Sequence, residues 1–320
     1  MINFATSKTE HRDGFFMLKL NIRDETSQLR AVILGTGESF GGTPKYEDAY
    51  DPKSKENIIR GTFPQEKDIK NEIEAFRKVL VKYDVEVYRP EYLDNLNQVF
   101  ARDIGFVIDD TFVVSNVNIH RVYEIDGIEF LLDQIEASKV LYPLDDIFIE
   151  GGDVMPWKGK IFVGYSEEED FNKYIVSRTN KEGVEYLKST FPHYEVHAFE
   201  LNKSDLEPRD NALHLDCCFQ PIGEDQAIIY KGGFKNDRDY EFLVDFFGRD
   251  KILEINREQM YNMYSNVFSI SPKVIVSDQN FSDLNTQLRD RGFTVEEIPY
   301  QETGKMEGLL RCSTLPLIRE

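Results

Sequence analysis

The chain alternates between two hydrophobic periods, and the alternation recurs. Residues 65–83 place Ile69, Ile73, Phe76, Leu80 and Tyr83 on one stripe at helical spacing. Further helices are expected over residues 130–139, 171–190 (with an interruption near Gly183), 239–247 and 281–292, where Gly292 suits a C-cap. Short strands follow several of these helices, over residues 85–88, 194–199, 251–255 and 293–298.

Between the helices lie five stretches with one grammar. Each opens on a small or polar cluster, turns, and runs into a β-branched strand. They span residues 97–115, 148–164, 212–230 and 265–276, and the fifth begins at Leu310. The fifth has no room for a partner strand, but an early strand over residues 29–34 can supply one from the other end. The openings recur at roughly 50 to 60 residues. A hairpin, a helix and a strand, taken about five times, predict an α/β fold in one domain over residues 1–320. The expected form is a five-bladed α/β propeller with pseudo-fivefold repeats around a central site. A doubly wound α/β sandwich fits the periodicity nearly as well. Residues 35–64 fall outside the grammar. They hold Gly37, Gly41, Gly42, Pro44, Pro52, Gly61 and Pro64 with Tyr46 and Tyr50, which reads as a long loop. Such a loop is either a lid over a site or a solvated insertion.

Composition narrows the partners. Apolar residues at 41% and charged residues at 30% describe a soluble globular chain. A formal net charge of −20 repels nucleic acid and anionic membranes and favours a small cationic or zwitterionic ligand, although acidity also serves solubility. No apolar run approaches the ~20 residues that span a bilayer. Near the N-terminus Glu10, Arg12 and Asp13 leave an apolar patch of only residues 15–18, too short for a signal-peptide core, so a cytoplasmic location is expected. The three cysteines, Cys217, Cys218 and Cys312, do not make a disulfide framework. Nothing in the pattern fixes the oligomeric state, and a homodimer is compatible with it.

The repeat openings carry the candidate chemistry. They hold Asn97, Arg102 and Asp103; Glu150 and Asp153 around Gly151 and Gly152; His214 and Asp216; Asn266; and Cys312. Singly, each has a bland reading: a local ion pair, an ordinary turn, a structural histidine, a small buried thiol. Cys217 and Cys218 read as packing residues, the first facing away from Asp216 and the second with it. His214 and Asp216 alternate along an expected strand and so share a face, which suits metal binding or acid–base work. Jointly they say more. A thiol with a pKa near ~8.5 needs help to ionise at neutral pH. Carboxylates brought together resist joint ionisation unless a cation lies between them. Guanidinium is planar, permanently charged and pairs bidentately with carboxylates.

These motifs resemble the guanidino-group-modifying superfamily of arginine deiminases, dimethylarginine dimethylaminohydrolases and amidinotransferases. The resemblance runs from about Val85 to the C-terminus. It rests on Asn97-x-x-Phe100-x-Arg102-Asp103, Glu150-Gly-Gly-Asp153, Ser177-Arg-Thr-Asn180, His214-x-Asp216 and the segment from Arg311 through Cys312 to Leu317, all in family order. It implies the pentein fold, a five-bladed α/β propeller. It implies Cys312 as nucleophile, His214 as acid and base, Glu150 orienting His214, and Asp103 and Asp216 clamping the guanidinium. Asn97, Phe100, Asp153 and Arg178 are then expected to shape the substrate site, with Arg178 on the substrate carboxylate and Arg121 a weaker candidate there. No metal or organic cofactor is implied, and the partner is a small arginine-like guanidino compound. Only Gly308 stands for the glycine run that often precedes the deiminase nucleophile, and residues 85–91 look more like amidinotransferases. The expected function is a cysteine-dependent hydrolase of deiminase type, with amidino transfer to an acceptor amine as the alternative. A metal-dependent hydrolase using His214, Asp216, Glu150 and Asp153, and a guanidine-binding protein without turnover, are the other classes.

Overall fold

The hairpins of the pattern each become a small sheet of the same design. They are seen in a computed structural model that describes residues 11–12 and 15–320. Glu10 and Asp13, used above against a signal peptide, lie outside the described residues. Gly105–Ile108 pairs antiparallel with Thr111–Val114, which takes Val140–Leu141 in parallel on its other edge. The next unit joins Val154–Trp157, Lys160–Tyr165 and Glu195–Glu200 in the same way. Phe219–Ile222, Gln226–Ile229 and Ile252–Glu254 form the third, and Phe268–Ser271, Val274–Asp278 and Thr294–Ile298 the fourth. The fifth is assembled from both ends of the chain. Thr314–Arg319 pairs antiparallel with Leu29–Leu34, which pairs in parallel with Glu86–Tyr88. The expected sharing of one sheet by the early and late strands is therefore present. The described residues form five three-stranded sheets and one two-stranded ribbon, not the single open sheet of a doubly wound fold.

Local chemistry explains the unit. In the second sheet the hairpin turns on Lys158 and Gly159, with φ of 47° and 76°. A two-residue turn with both φ positive matches the right-handed twist of the strands. The hairpin strand Val154–Trp157 is buried throughout, whereas the parallel strand Glu195–Glu200 is mostly half-exposed. Burial on both faces makes the hairpins read as continuous apolar runs rather than alternating ones.

The helices pack against these sheets. Helix α2, Glu66–Lys82, buries Ile69, Ile73, Phe76 and Leu80, as its stripe predicts. Each such side chain contributes roughly 1.5–3 kcal/mol when removed from water. The segment expected as one helix over residues 171–190 is two, Glu168–Lys173 and Lys181–Thr190. The break falls before Asn180, not at Gly183. Asn180 caps the second helix by accepting from the Gly183 N–H at 2.9 Å. The helix over residues 130–139 shrinks to one turn, Glu129–Leu132, and a 3₁₀ turn, Ala137–Lys139. Residues 35–64 are not wholly loop. They contain a 3₁₀ turn, Tyr46–Asp48, and helix α1, Pro52–Arg60. Pro52 occupies its first turn, Asp51 caps it through Ser54, and Gly61 ends it at φ 67°. Proline and glycine there are helix termini rather than loop breakers. Among the described residues no helix is long and apolar enough to cross a membrane.

The acid-glycine-glycine-acid turn shows why its sequence is constrained. A Cβ on Gly151 would lie 2.2 Å from the Arg102 carbonyl oxygen and 2.6 Å from that of Gly105. Gly151→Ala is expected to lower the unfolding free energy by about 2–3 kcal/mol through overpacking against backbone. Urea denaturation measures this, and an unchanged midpoint would show that the turn tolerates a side chain.

Candidate active site

Cys312 lies in a coil of turns leading from Gly308 into the last strand. Its surroundings are fixed by backbone bonds: Ser313 N–H donates to Leu309, Thr314 N–H to Arg311, and Arg102 N–H to the Cys312 carbonyl at 2.9 Å. Cys312 is 2% exposed yet lines a cavity of about 330 Å³. That size suits a small organic ligand. Asn97, Phe100, Asp103, Arg121, Arg178 and His214 line the same cavity. Phe100 is seated by the absence of a side chain at Gly308, where a Cβ would come within 2.4 Å of its ring. Much of the remaining wall comes from the segment with Phe40, Tyr50 and Asp51.

His214 sits between two carboxylates. Its Nε2 is 2.8 Å from Glu150 and its Nδ1 is 3.8 Å from Asp103. Gly152 makes room for the ring, since a Cβ there would lie 2.6 Å from its Cγ. Burial alone would depress the imidazole pKa, but Asp103, Glu150 and Asp153 outweigh it and raise His214 to about 9. Glu150 moves the other way. Burial would raise it, and Arg178, His214 and Arg121 pull it down to about 2. The pair is therefore imidazolium and carboxylate at neutral pH. The thiol differs. Burial first, then the charges of Asp216 and Asp103, push Cys312 well above the ordinary thiol range. Without a cation in the cavity, Cys312 is a neutral thiol.

Several polar atoms here have no hydrogen-bond partner among the described residues: Asp103 Oδ1, His214 Nδ1, and Arg178 Nε and Nη2. All three side chains line the cavity. Buried polar atoms are seldom left unpaired, so such a set marks a place for a ligand. The cavity thus offers a carboxylate oxygen and an imidazole nitrogen near a thiol, and two guanidinium donors elsewhere on its wall. Arg178 also stacks 5.3 Å from the Tyr50 ring centroid, which fixes its plane.

Other expected residues take different places. Arg121 bonds Asp103 at 2.6 Å, Glu124 twice at 2.8 and 2.7 Å, and the Phe100 carbonyl at 3.0 Å. Four of its five donors are thereby committed, so it fixes Asp103 rather than offering a fork to a carboxylate. Asp153 is fully buried, accepts from Thr179 at 2.7 Å and from Leu215 N–H at 2.9 Å, and is not part of the cavity wall. Asp216 also lies behind the wall. It is 3.6 Å from the Cys312 sulfur, but its carboxylate receives Arg311 at 2.8 Å. The guanidinium it clamps is an internal one. His214 and Asp216 do not alternate along a strand, because Leu215–Cys217 is a 3₁₀ turn. That turn also brings the Cys217 sulfur to 3.8 Å from Asp216, against the expected opposite facing. Asn97 holds Val99 N–H at 3.1 Å and reaches the Met306 sulfur at 3.8 Å. The alternative metal arrangement of His214, Asp216, Glu150 and Asp153 is not assembled, since Asp216 and Asp153 are engaged as described. Asp103, Glu150 and His214 do bring ligand atoms within 4.8 Å of one another. Arg121 Nη1 lies 2.6 Å from Asp103 and 4.0 Å from Glu150, so a guanidinium already neutralises that trio.

One residue that the sequence names only as a repeat opening, without a role, has a defined place in the site. Asn266 donates through Nδ2 to the Cys312 sulfur at 3.2 Å and accepts Cys312 N–H through Oδ1 at 3.1 Å. It fixes both backbone and thiol of one residue. Its position in the fourth repeat opening was the available signal.

Residues 51–319 match the family model described as N,N dimethylarginine dimethylhydrolase, eukaryotic. The chain belongs to this family of guanidino-modifying enzymes. Within the wider superfamily it is 32% identical over 252 residues to the uncharacterized protein YkgA of Bacillus subtilis, covering 77% of this chain and 78% of that one. It is 26% identical over 295 residues to arginine deiminase of Latilactobacillus sakei, with 78% and 68% covered. The fold is that of the N-terminal domain of ArgZ, a cyanobacterial arginine dihydrolase, at TM-score 0.75 and 18% identity, covering 91% and 98%. It is likewise that of SxtG, an amidinotransferase of Microseira wollei, at TM-score 0.70 and 16% identity, covering 94% and 97%. The deiminase, dihydrolase and amidinotransferase among these are enzymes of guanidino groups, and the chain is an enzyme of that kind.

The histidine's charge state gives a direct check. In ligand-free protein, His214 should titrate by NMR near pH 9, and Glu150→Gln should bring it down toward the ordinary 6.5. A value at or below 6.5 in the unsubstituted protein would contradict the pairing. The folded value lies above the unfolded one. The stability from this group is therefore complete below pH 6.5 and lost as pH rises through about 9.

Proposed function

We propose that this enzyme is a hydrolase of deiminase type, acting through Cys312 on the guanidino group of arginine or a close relative of it. The observation that carries this reading is the set of unpaired atoms around the thiol. Asp103 Oδ1 and His214 Nδ1 are buried, make no hydrogen bond, and belong to side chains on the wall that holds Cys312. A guanidinium supplies both what Asp103 Oδ1 lacks, an N–H donor within hydrogen-bond distance, and what the thiol lacks, a cation that favours thiolate.

The chemistry follows in two halves. The substrate guanidinium enters beside Asp103, and its charge offsets the carboxylates that keep Cys312 neutral. Cys312 then loses its proton to solvent, and the thiolate sulfur attacks the central guanidino carbon, forming a C–S bond as the carbon–nitrogen π electrons move onto nitrogen. The His214 imidazolium gives its proton to one terminal nitrogen, which leaves as ammonia with the electrons of the broken C–N bond. The product on Cys312 is an amidino-thioether. Neutral His214 then takes a proton from water as the water oxygen attacks the same carbon, and sulfur departs. Arginine and water become citrulline and ammonia. Glu150 holds the imidazole and Asn266 holds the sulfur. We read the five sheets as blades of a closed ring around the cavity, and the segment with α1 as its lid.

Amidino transfer is the second reading, favoured by the fold likeness to SxtG and to the inosamine-phosphate amidinotransferase of Streptomyces griseus. It shares the first attack, but ornithine leaves and an acceptor amine follows. Incubation with arginine separates the two. Citrulline and ammonia formed without an acceptor support hydrolysis, and ornithine released only with an added amine supports transfer. Cys312→Ser is expected to lose at least ~10³-fold in rate, as removal of a nucleophile does. A serine variant as fast as the parent sinks the covalent route. Chelator is expected to leave the rate unchanged, whereas the metal reading requires its loss.

A further inference from the structure

A second cavity lies across a wall from the first, and the chemistry above makes no use of it. It holds about 360 Å³ and shares no lining residue with the cavity of Cys312. Two stretches form the wall. The start of α1 gives Asp51 and Ser54 to the first cavity, and Lys53 and Asn57 to the second. The approach to the thiol divides likewise, with Glu307 and Gly308 on one side and Gly304, Lys305 and Leu309 on the other. Asn57 joins the two stretches, its Nδ2 donating to the Lys305 carbonyl at 3.2 Å.

This second cavity has a cation that lacks an anion. Lys53 is 5% exposed. Its ammonium donates to the Tyr261 carbonyl and lies 4.5 Å from that ring's centroid. An ammonium has three donors, and this one makes no other hydrogen bond and no ion pair among the described residues. Burial draws its pKa down to about 8, with the charges of Glu307 and Asp51 across the wall opposing the fall, so it is a cation at neutral pH. Buried charges are ordinarily paired. The carboxylate on the cavity's own lining is engaged elsewhere. Asp278 Oδ1 accepts from Asn280 N–H at 2.7 Å and Nδ2 at 2.8 Å, and its Oδ2 accepts from Tyr300 N–H at 2.8 Å. The other ammonium on the lining, that of Lys305, is already held by Glu302 at 2.6 and 2.7 Å. The unmet demand is for one negative charge at Lys53.

An independent feature describes the rest of the ligand. Tyr264 and Phe281 line the same cavity, stacked with ring centroids 3.9 Å apart, and Tyr261 adds a third ring. Such walls suit a flat apolar body. A bare inorganic anion would meet the ammonium and leave the rings uncovered.

We propose that this second cavity is a binding site for a small aromatic carboxylate, with its charge on Lys53 and its ring against Tyr264 and Phe281. The site stands apart from the guanidino chemistry. Its occupant touches both stretches that wall off the thiol cavity.

Calorimetry on the full chain tests this with benzoate, phenylacetate and indole-3-acetate as probes. At least one should bind with a Kd of about 1 mM or tighter. Benzamide, a ring without the charge, and inorganic phosphate, a charge without the ring, should each bind at least about tenfold more weakly. Lys53→Met keeps the stem beside Tyr261 and should weaken the aromatic anion at least about tenfold. Tyr264→Ala alters a half-buried ring outside α1 and should weaken it at least about threefold, which covers the case of a poorly folded Lys53 variant. Arg178→Gln should leave the affinity within about twofold, because that guanidinium faces the other cavity. No binding of any of the three probes, phosphate or benzamide binding as tightly as they do, or an affinity that survives both Lys53→Met and Tyr264→Ala overturns the site. So does an affinity lost on Arg178→Gln, which would place the anion in the cavity of Cys312.

Discussion

The site depends on a guanidinium that belongs to the protein itself. Arg311 is fully buried, immediately before Cys312 in sequence. It binds Glu25 through Nε at 3.0 Å and Nη2 at 3.1 Å, Asp216 at 2.8 Å, and the carbonyls of Gly152 at 3.2 Å and Val154 at 2.9 Å. One side chain thereby ties an N-terminal loop, the acid-glycine-glycine-acid turn and the turn after His214 to the segment bearing the thiol. Burial would weaken each charge, but the pairing holds Glu25 down at about 2 and Arg311 above its ordinary value. Such a network adds little net stability compared with apolar packing, while losing one member strands the others. What it contributes here is position. Four segments from distant parts of the chain are held in one register, and the position of Cys312 follows from that register.

The electrostatics around Cys312 then have one direction. Asp103, Glu150, Asp153 and Asp216 crowd one region, and Arg121 and Arg311 neutralise part of it from inside the fold. The remaining negative field keeps a proton on His214 and on Cys312 alike. Those two effects oppose each other in the empty site, because a protonated imidazole is ready as an acid while a protonated thiol is not ready as a nucleophile. A cation entering next to Asp103 removes the conflict by favouring thiolate without discharging His214. On this view the substrate's own charge completes the catalytic state, and a neutral analogue would find an inactive thiol.

What sequence could show depended on the range of the interaction. Glu150, Gly151, Gly152 and Asp153 announce a tight turn because glycine is needed where backbone approaches backbone, and His214 does meet Glu150. The fold was legible through its hairpins, whose buried strands are unbroken apolar runs, and through the stripe of α2. The partner of Asp216 was not legible, because Arg311 lies 95 positions away and its charge reads equally well as surface. The saturation of Arg121 was within reach, since Glu124 sits three positions on. Helix α1 was misread because proline and glycine were taken as breakers, when Asp51, Pro52 and Gly61 together are a cap, a first turn and an end. The bond from Asn266 to Cys312 joins two repeat openings, and periodicity alone names the openings without saying which side chains touch.

The two ends of the cavity bear on the choice between water and an amine. In deimination the small nitrogen leaves as ammonia, and the amino-acid skeleton stays joined to sulfur. In transfer the skeleton leaves and the amidino carbon stays. A firm hold on the amino-acid end of a substrate would therefore act differently in the two routes. It anchors the intermediate of a deiminase, whose released ammonia makes no use of that end. It opposes a transferase, which must empty that end before its acceptor can approach the carbon. A cavity walled over by the segment from Phe40 to Phe63, with Phe40 stacked on Phe63 at 6.2 Å, makes such an exchange harder still, while water needs little room. The enclosure of that end is the feature of the cavity on which the proposed hydrolysis and the alternative transfer differ most.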